Sequence, residues 1–469
     1  VPARAFSLDE IRSFAALAGD HNPLHVDPIA ARRTLLGAPV VHGMLLALWA
    51  LEELAVREPR PRALVRLETT FSKAVAAGET IDLVASPSGE GSVTATLRRS
   101  GALRASIGVE WDASPSTGEA TLPLAAFRDE PRALSFDEAA AASGEVPLAL
   151  DRALLDASFP HLSRVVPADQ IAVVLATSRI VGMECPGLHS IYAKLDVRFE
   201  RRADASGGAA PALAYRVERA NKRFSKLELS IAAPRVRGTI EAFFRPPPVR
   251  QLDMAEAARL VAPSEFEGRR ALVIGGSRGL GEVTAKLVAA GGGDVRITYQ
   301  TGRDDAERVV SEIQAAGGRA ACFPYDVLAP ERGLDLGSFR PSHLYYFATK
   351  VISFGDRQAF SPALFRAYCA YYVDGFAAAV ELAAKAAGGL LEVLYPSSVF
   401  VDRTEPGAAE YAAAKAAGEI VGAHLAARID GLRIASPRLV KVRTDQTASL
   451  GPLAAERPEK VMLSVLRGA

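Results

Sequence analysis

The chain has 469 residues, room for about three domains at ~150 residues each. Its 55 Lys and Arg offset 54 Asp and Glu, a net charge of +1, so no basic excess exists to neutralise a phosphate backbone and a nucleic-acid partner is disfavoured. Three scattered cysteines (Cys185, Cys322, Cys369) fit neither a disulfide framework nor a zinc site, no apolar run reaches the ~18 residues of a membrane span, and VPARAFSLDE lacks the basic-then-apolar pattern of a secretory leader; a cytoplasmic protein with no metal is expected.

Two breaks divide the chain. Asp112 to Thr121 is small, polar and proline-bearing and reads as a linker. Pro246 to Pro248 can continue neither strand nor helix and reads as a stiff extended link. The expected segments are 1–115, 120–248 and 265–469. In the first, Gly43 to Val56 is apolar nearly all round and predicts a buried helix, followed by strands in ALVRLETTFSKAV, TIDLVASP, SVTATLRRS and LRASIGVEW. The second repeats that order, with a helix over Ala168 to Val181 and strands in SIYAKLDVRFE, ALAYRVERA, KLELSIAA and RGTIEAFF. A long helix wrapped by an antiparallel sheet satisfies both patterns, and the repeated order hints at duplication.

Residues 14–44 carry the first constellation. Asn22-Pro23 interrupts any helix, because the residue before proline is pushed out of the α region. Asp20 and His25 therefore share a short loop, and a carboxylate beside an imidazole suits general acid–base work near neutral pH. Gly43 opens the apolar helix, where a backbone N–H can receive a developing oxyanion. The run Gly19-Asp20-x-Asn22-Pro23-x-His25, then Asp27 and Ala31, then His42-Gly43-Met44, resembles the motif of MaoC-like (R)-specific enoyl-thioester hydratases, which have a hot-dog fold. The resemblance implies that Asp20 and His25 hold the water or hydroxyl at C3 and exchange the C2 proton. It implies that the Gly43 N–H polarises the thioester carbonyl and that Asn22 holds the loop. Asp27 reads instead as a cap for the helix beginning at Pro28, and His42 as a packed polar residue.

In the second segment SFPHLSRVVPADQ is similar to the loop before the central helix of 3-hydroxyacyl-carrier-protein dehydratases. Ser158 stands where that family has its histidine and Ala172 where it has its acid, and neither can shuttle a proton at neutral pH. The expectation is a non-catalytic half that completes a double hot-dog and walls the acyl pocket. His161, Asp169 and His189 are the other polar candidates.

The third segment alternates strand and helix, which argues a parallel sheet covered on both faces. After the strand ALVI comes Gly275-Gly276-Ser277-Arg278-Gly279-Leu280-Gly281, opening a helix: glycines let the backbone approach a pyrophosphate, and the helix N-terminus favours its charge. Farther on, Tyr411 and Lys415 are four apart on an Ala-rich helix and share a face. An ammonium near a phenol lowers the phenol's pKa. With Ser398 and Asp326-Val327, these residues resemble the short-chain dehydrogenase/reductase family over about 266–445. By that resemblance Tyr411 donates a proton to the carbonyl, Ser398 orients it, Lys415 binds ribose and tunes Tyr411, and Asp326 meets the adenine. The place after the second strand, Thr298 to Arg303, has no acid for a ribose 2′-hydroxyl, whereas Arg278 and Arg303 could pair a 2′-phosphate, which favours NADPH. Phe347-Ala348-Thr349 replaces the family's N-A-G, Tyr372 its helix asparagine and Pro437-Arg438 its P-G.

The expected fold is an α+β double hot-dog followed by an α/β Rossmann-like domain. The expected function is sequential ketoreduction and dehydration of an acyl thioester on coenzyme A or an acyl carrier protein, in a fatty acid- or polyketide-like pathway. Alternatives are a single-activity hydratase with a nucleotide-binding but inactive reductase domain, and a scaffold that docks a carrier protein, for which Arg32 and Arg33 are candidate contacts. Family analogy implies a homodimer or larger assembly.

Overall fold

The computed structural model describes residues 1–112, 122–124, 126–200, 212–352, 355, 359–449 and 454–468. The expected linker lies, from residue 113 to 121, outside the described residues. The chain forms two compact units, Val1–Pro247 with Ser449–Pro452, and Pro248–Ala448 with Leu453–Ala469. No helix among the described residues is long and apolar enough to cross a membrane.

The first unit is a ten-stranded sheet of β1 (Ala3–Arg4), β2 (Ala63–Phe71), β3 (Ile81–Gly89), β4 (Ser92–Arg99), β5 (Ala102–Asp112), β6 (Ser143–Pro147), β7 (Ser190–Phe199), β8 (Ala212–Asn221), β9 (Lys226–Ala233) and β10 (Val236–Phe244). Neighbours run β1-β3-β4-β5-β2-β7-β10-β9-β8-β6, every pair antiparallel. That order is its own mirror image about the β2–β7 seam, so the two halves are built alike. At the seam the period-2 alternation divides the side chains by face. Leu67, Leu195 and Val197 are fully buried, while Arg66 pairs with Asp196 at 2.7 Å and Lys194 with Glu68 at 2.8 Å on the other face.

Each half wraps one central helix. The first, Gly43–Arg57, buries every residue from Met44 to Glu52, which is why its sequence shows little polar face. The second, Ala168–Arg179, ends two residues sooner than its apolar run suggests, because the chain widens into a π turn at Ile180–Glu184. The widened turn puts Gly182 against the Asp20 carboxylate, where a Cβ would come 2.0 Å from Oδ1.

The second unit is a parallel sheet of β11 (Arg270–Ile274), β12 (Asp294–Tyr299), β13 (Arg319–Pro324), β14 (His343–Tyr346), β15 (Leu391–Leu394) and β17 (Leu432–Ala435), with a separate short pair, β16 (Ser397–Ser398) and β18 (Arg438–Leu439). The order β13-β12-β11-β14-β15-β17 reverses direction beside β11, the topological switch point at which doubly wound sheets bind ligands. Helices cover both faces and make two separate apolar cores.

Candidate active sites

Gly19, at φ 65°, ends the helix Leu8–Ala18 in a left-handed cap and turns the chain sharply. Asp20 follows, 2% exposed. The Asn22 side chain accepts the Leu24 N–H at 3.0 Å and so caps the short turn Pro23–Val26, which carries His25. His25 Nδ1 lies 2.7 Å from the Val40 carbonyl; a carbonyl only accepts, so Nδ1 carries the proton and Nε2 keeps its lone pair. Asp20 Oδ2 accepts the Ser178 hydroxyl at 2.7 Å, and Oδ1 the Asn22 N–H at 3.4 Å. Burial raises the Asp20 pKa against the opposing pull of His25 and Ser178. Burial lowers the His25 pKa against the opposing pull of Asp20. The two environments thus push the carboxyl toward holding a proton and the imidazole toward releasing one, an acid and a base side by side.

His42, fully buried, stacks on His25 with ring centroids 3.7 Å apart, and its Nε2 donates to the Asp20 carbonyl at 3.0 Å. It fixes the dyad loop from below, and the next residue, Gly43, begins the central helix. Asp20, His25 and His42 hold potential ligand atoms within 4.8 Å of one another. The two rings lie nearly parallel, at 23°, so their in-plane lone pairs run side by side and do not converge on one ion.

The second half reaches into this site through residues that the sequence did not flag. Ser178 is one. Gly182 is another, and the Asn22 amide donates to its carbonyl at 2.9 Å and to that of Gly187 at 3.0 Å. Arg179 is the third, donating from Nε to the Ala18 carbonyl at 3.0 Å. The available signal was Thr177-Ser178-Arg179, a buried polar run in an otherwise apolar helix. Ser158 closes the helix Arg152–Ser158, and Ala172 is buried among apolar side chains. His161 Nδ1 pairs with Glu52 at 2.7 Å, but that carboxylate also accepts the His161 and Leu162 N–H groups, so it caps a turn. Asp169 lies in the first turn of the second central helix, and His189 lies near Phe244.

In the second unit the glycine turn joins β11 to the helix Gly279–Ala290. Gly275 has φ 77°, and a Cβ there would meet the Ala348 nitrogen at 3.0 Å; a Cβ on Gly281 would meet the Gly275 carbonyl at 2.2 Å. Only glycines let the turn lie so close to the helix start, and Ser277 and Leu280 sit within it. This fits a pyrophosphate at a helix N-terminus. Arg278 pairs with Asp445 at 3.0 Å, and Arg303, exposed, pairs with Glu307 at 2.7 Å. Asp326 accepts the Leu328 N–H at 2.9 Å, and Val327 packs where a Gly375 Cβ would be. A cleft of about 830 Å³ lined by Arg270, Asp294, Arg296 and residues 335–340 lies at the opposite, opening ends of β11 and β12, away from this turn.

Ser398 ends β16, accepts the Phe400 N–H at 3.2 Å and pulls down the pKa of Tyr411, which lies on the helix Ala409–Arg428. Lys415, one turn on, is buried. The expectation that Lys415 lowers the Tyr411 pKa is corrected. Burial holds Tyr411 up at about 12, partly offset by Ser398, and holds Lys415 down at about 7. The Lys415 ammonium turns away to donate to the Pro396 carbonyl at 2.7 Å and lies 3.9 Å from the Tyr372 ring centroid. Tyr372 sits in a second π turn, Ala370–Asp374, bonds Thr349 through its hydroxyl, and stands edge-on to Tyr411 at 5.7 Å.

Against known proteins, the family described as MaoC like domain matches residues 1–103, and that described as short chain dehydrogenase matches residues 269–336. The chain is 29% identical over 196 residues to an uncharacterized oxidoreductase of Methylorubrum extorquens, covering 40% of this chain and 79% of that protein. It is 51% identical over 45 residues to the (R)-specific enoyl-CoA hydratase of Aeromonas caviae, 10% of this chain, and spans about a third (34%) of that hydratase. A short chain dehydrogenase of Burkholderia cenocepacia, solved in complex with NADP, is similar at 26% identity over 43% of this chain and 89% of that one, with a TM-score of 0.39.

Proposed function

We propose that this chain, which carries a MaoC-like domain at its amino-terminal end and a short-chain dehydrogenase/reductase domain beyond it, reduces a 3-ketoacyl thioester and then dehydrates the (R)-3-hydroxyacyl product to the trans-2-enoyl thioester. The observation that carries the reading is the pair Asp20 and His25, whose pKa values are pushed in opposite directions beside a helix-opening glycine. His25 Nε2 takes the C2 proton. The protonated Asp20 carboxyl gives its proton to the departing C3 hydroxyl, and water leaves. The Gly43 N–H receives the negative charge that gathers on the thioester oxygen. Hydration follows the same path backwards.

In the reductase domain the turn from Gly275 to Gly281 would hold the pyrophosphate of a nicotinamide cofactor, which would supply a hydride. Tyr411 gives its hydroxyl proton to the carbonyl oxygen, Ser398 orients both, and Lys415 binds the ribose. The stretch Thr298 to Gly302 offers no acid, which supports NADPH over NADH; Arg278 and Arg303, paired with Asp445 and Glu307, would be the residues to hold a 2′-phosphate. The thioester rides on coenzyme A or a carrier protein.

A second reading, a hydratase whose reductase domain only binds nucleotide, draws on the Tyr372 ring under Lys415 and the high pKa of Tyr411. Two variants separate the readings. Asp20→Asn should abolish dehydration and spare NADPH consumption, and Tyr411→Phe should do the reverse. Dehydration surviving Asp20→Asn, or reduction surviving Tyr411→Phe, would show the corresponding assignment to be wrong.

A further inference from the structure

Arg245 follows β10 and is 3% exposed. Its backbone N–H donates to the His189 carbonyl at 2.7 Å, and its Nη2 donates to the Leu188 carbonyl. Its Nε is buried with no hydrogen-bond partner, and the same holds for Nδ1 of His189. No carboxylate among the described residues acts on this guanidinium; burial alone brings its pKa down to about 10. A cation taken out of water is destabilised unless an anion compensates it, so buried charges are ordinarily paired. This one is not.

Its location ties it to the dehydratase dyad. The segment Gly187–Ser190 is gripped from one side by Arg245. From the other it is gripped by Asn22 of the dyad loop, which donates to the Gly187 carbonyl at 3.0 Å and reaches Ser190 Oγ at 3.4 Å. Burial chiefly, and the Arg245 charge in smaller part, make both His25 and His189 less basic. Guanidinium and dyad thus flank one short stretch of chain, within electrostatic reach of each other.

We infer that Arg245, with His189 beside it, forms an anion subsite of the dehydratase site, and that the acyl group taken there carries a free carboxylate besides its thioester. The inference rests on Asp20 and His25 being the thioester site. The phosphates of a coenzyme A or carrier arm are the other source of negative charge. They are separated from the thioester by the length of pantetheine, whereas Arg245 holds the same Gly187–Ser190 segment as Asn22 of the dyad loop, which favours a carboxylate on the acyl chain. A charge-assisted hydrogen bond from Nε would give that carboxylate its partner.

The test is calorimetric binding of unreactive saturated thioesters to the full chain. Succinyl-CoA is compared with butyryl-CoA, and the same two acyl groups are compared on N-acetylcysteamine, which has no phosphate. The expected result is at least about tenfold tighter binding of the succinyl thioester in both series. Arg245→Gln should erase that preference and Arg245→Lys retain part of it; circular dichroism checks folding, and if the Gln variant fails to fold, the wild-type ratio and the Lys variant decide. Equal binding of the two acyl groups overturns the inference. So does an Arg245→Gln loss that is the same for both acyl groups on CoA and absent on N-acetylcysteamine, which would assign the anion to the phosphates. Hydration of crotonyl-CoA by the wild type is read separately. Hydration without a succinyl preference leaves the dyad standing and removes the subsite, whereas a preference without hydration removes the dyad and, with it, the assignment of this anion site to a dehydratase.

Discussion

Ser178→Ala tests whether the second half of the first unit takes part in catalysis. The substitution removes the 2.7 Å hydrogen bond to Asp20 Oδ2 and leaves that oxygen buried, since the carboxylate is only 2% exposed. A hydrogen bond to a charged group is worth roughly 1.5–3 kcal/mol, and each 1.36 kcal/mol is tenfold in rate, so kcat/KM for hydration should fall about 10- to 150-fold. The sign of the pH effect follows from the same bond. Ser178 donates to the charged form and holds the Asp20 pKa down against burial. In hydration Asp20 must be ionised to take the proton of the attacking water, so without Ser178 the carboxyl keeps its proton to higher pH and the acid limb of the pH–rate profile moves up. The assay is crotonyl-CoA hydration followed across pH, with Ser178→Thr as the conservative control that keeps the hydroxyl. A rate within twofold of wild type and an unmoved acid limb in the Ala variant would refute the reasoning.

Other outcomes follow from the packing. Gly182→Ala should cut hydration at least about tenfold while reduction persists, because its Cβ would come 2.0 Å from Asp20 Oδ1 and displace the carboxylate; unchanged hydration kinetics would count against the contact. Gly43→Ala brings a Cβ to 2.8 Å from the Phe71 ring and shifts the start of the central helix, so hydration should fall about 10²-fold if this N–H serves the oxyanion. Lys415, held down at about 7, is cationic below that pH and neutral above it. NADPH affinity measured by fluorescence titration should therefore weaken from pH 6 to pH 8.5, and Lys415→Met should flatten that dependence.

What the sequence made legible was local. The glycine, the helix-breaking Asn22-Pro23 and His25 lie within a few residues of one another, so the dyad loop could be read directly. The helix at Gly43 runs to Arg57, one residue past the apolar run. The mirrored strand order follows from two similar successions of apolar helix and alternating strands. Contacts between distant residues were not legible: Asp20 and Ser178 are 158 positions apart, and only the fold of the second helix into a π turn brings Gly182 to the carboxylate. Arg245 carried no motif, and its meaning comes from burial without a partner. In the reductase domain the four-residue spacing put Tyr411 and Lys415 on one face. Spacing alone does not fix where a flexible lysine turns, and the Pro396 carbonyl and the rings of Tyr372 and Tyr395 take its ammonium instead of the phenol.

The central claim is that both chemistries act in order on one thioester. The direct measurement incubates the full chain with NADPH and acetoacetyl-CoA, follows cofactor absorbance, and weighs the product by mass spectrometry. The account predicts NADPH loss and an enoyl thioester lighter by one water than the hydroxyacyl intermediate. Intact NADPH together with ready hydration of crotonyl-CoA would contradict it and leave a hydratase joined to a silent nucleotide-binding domain.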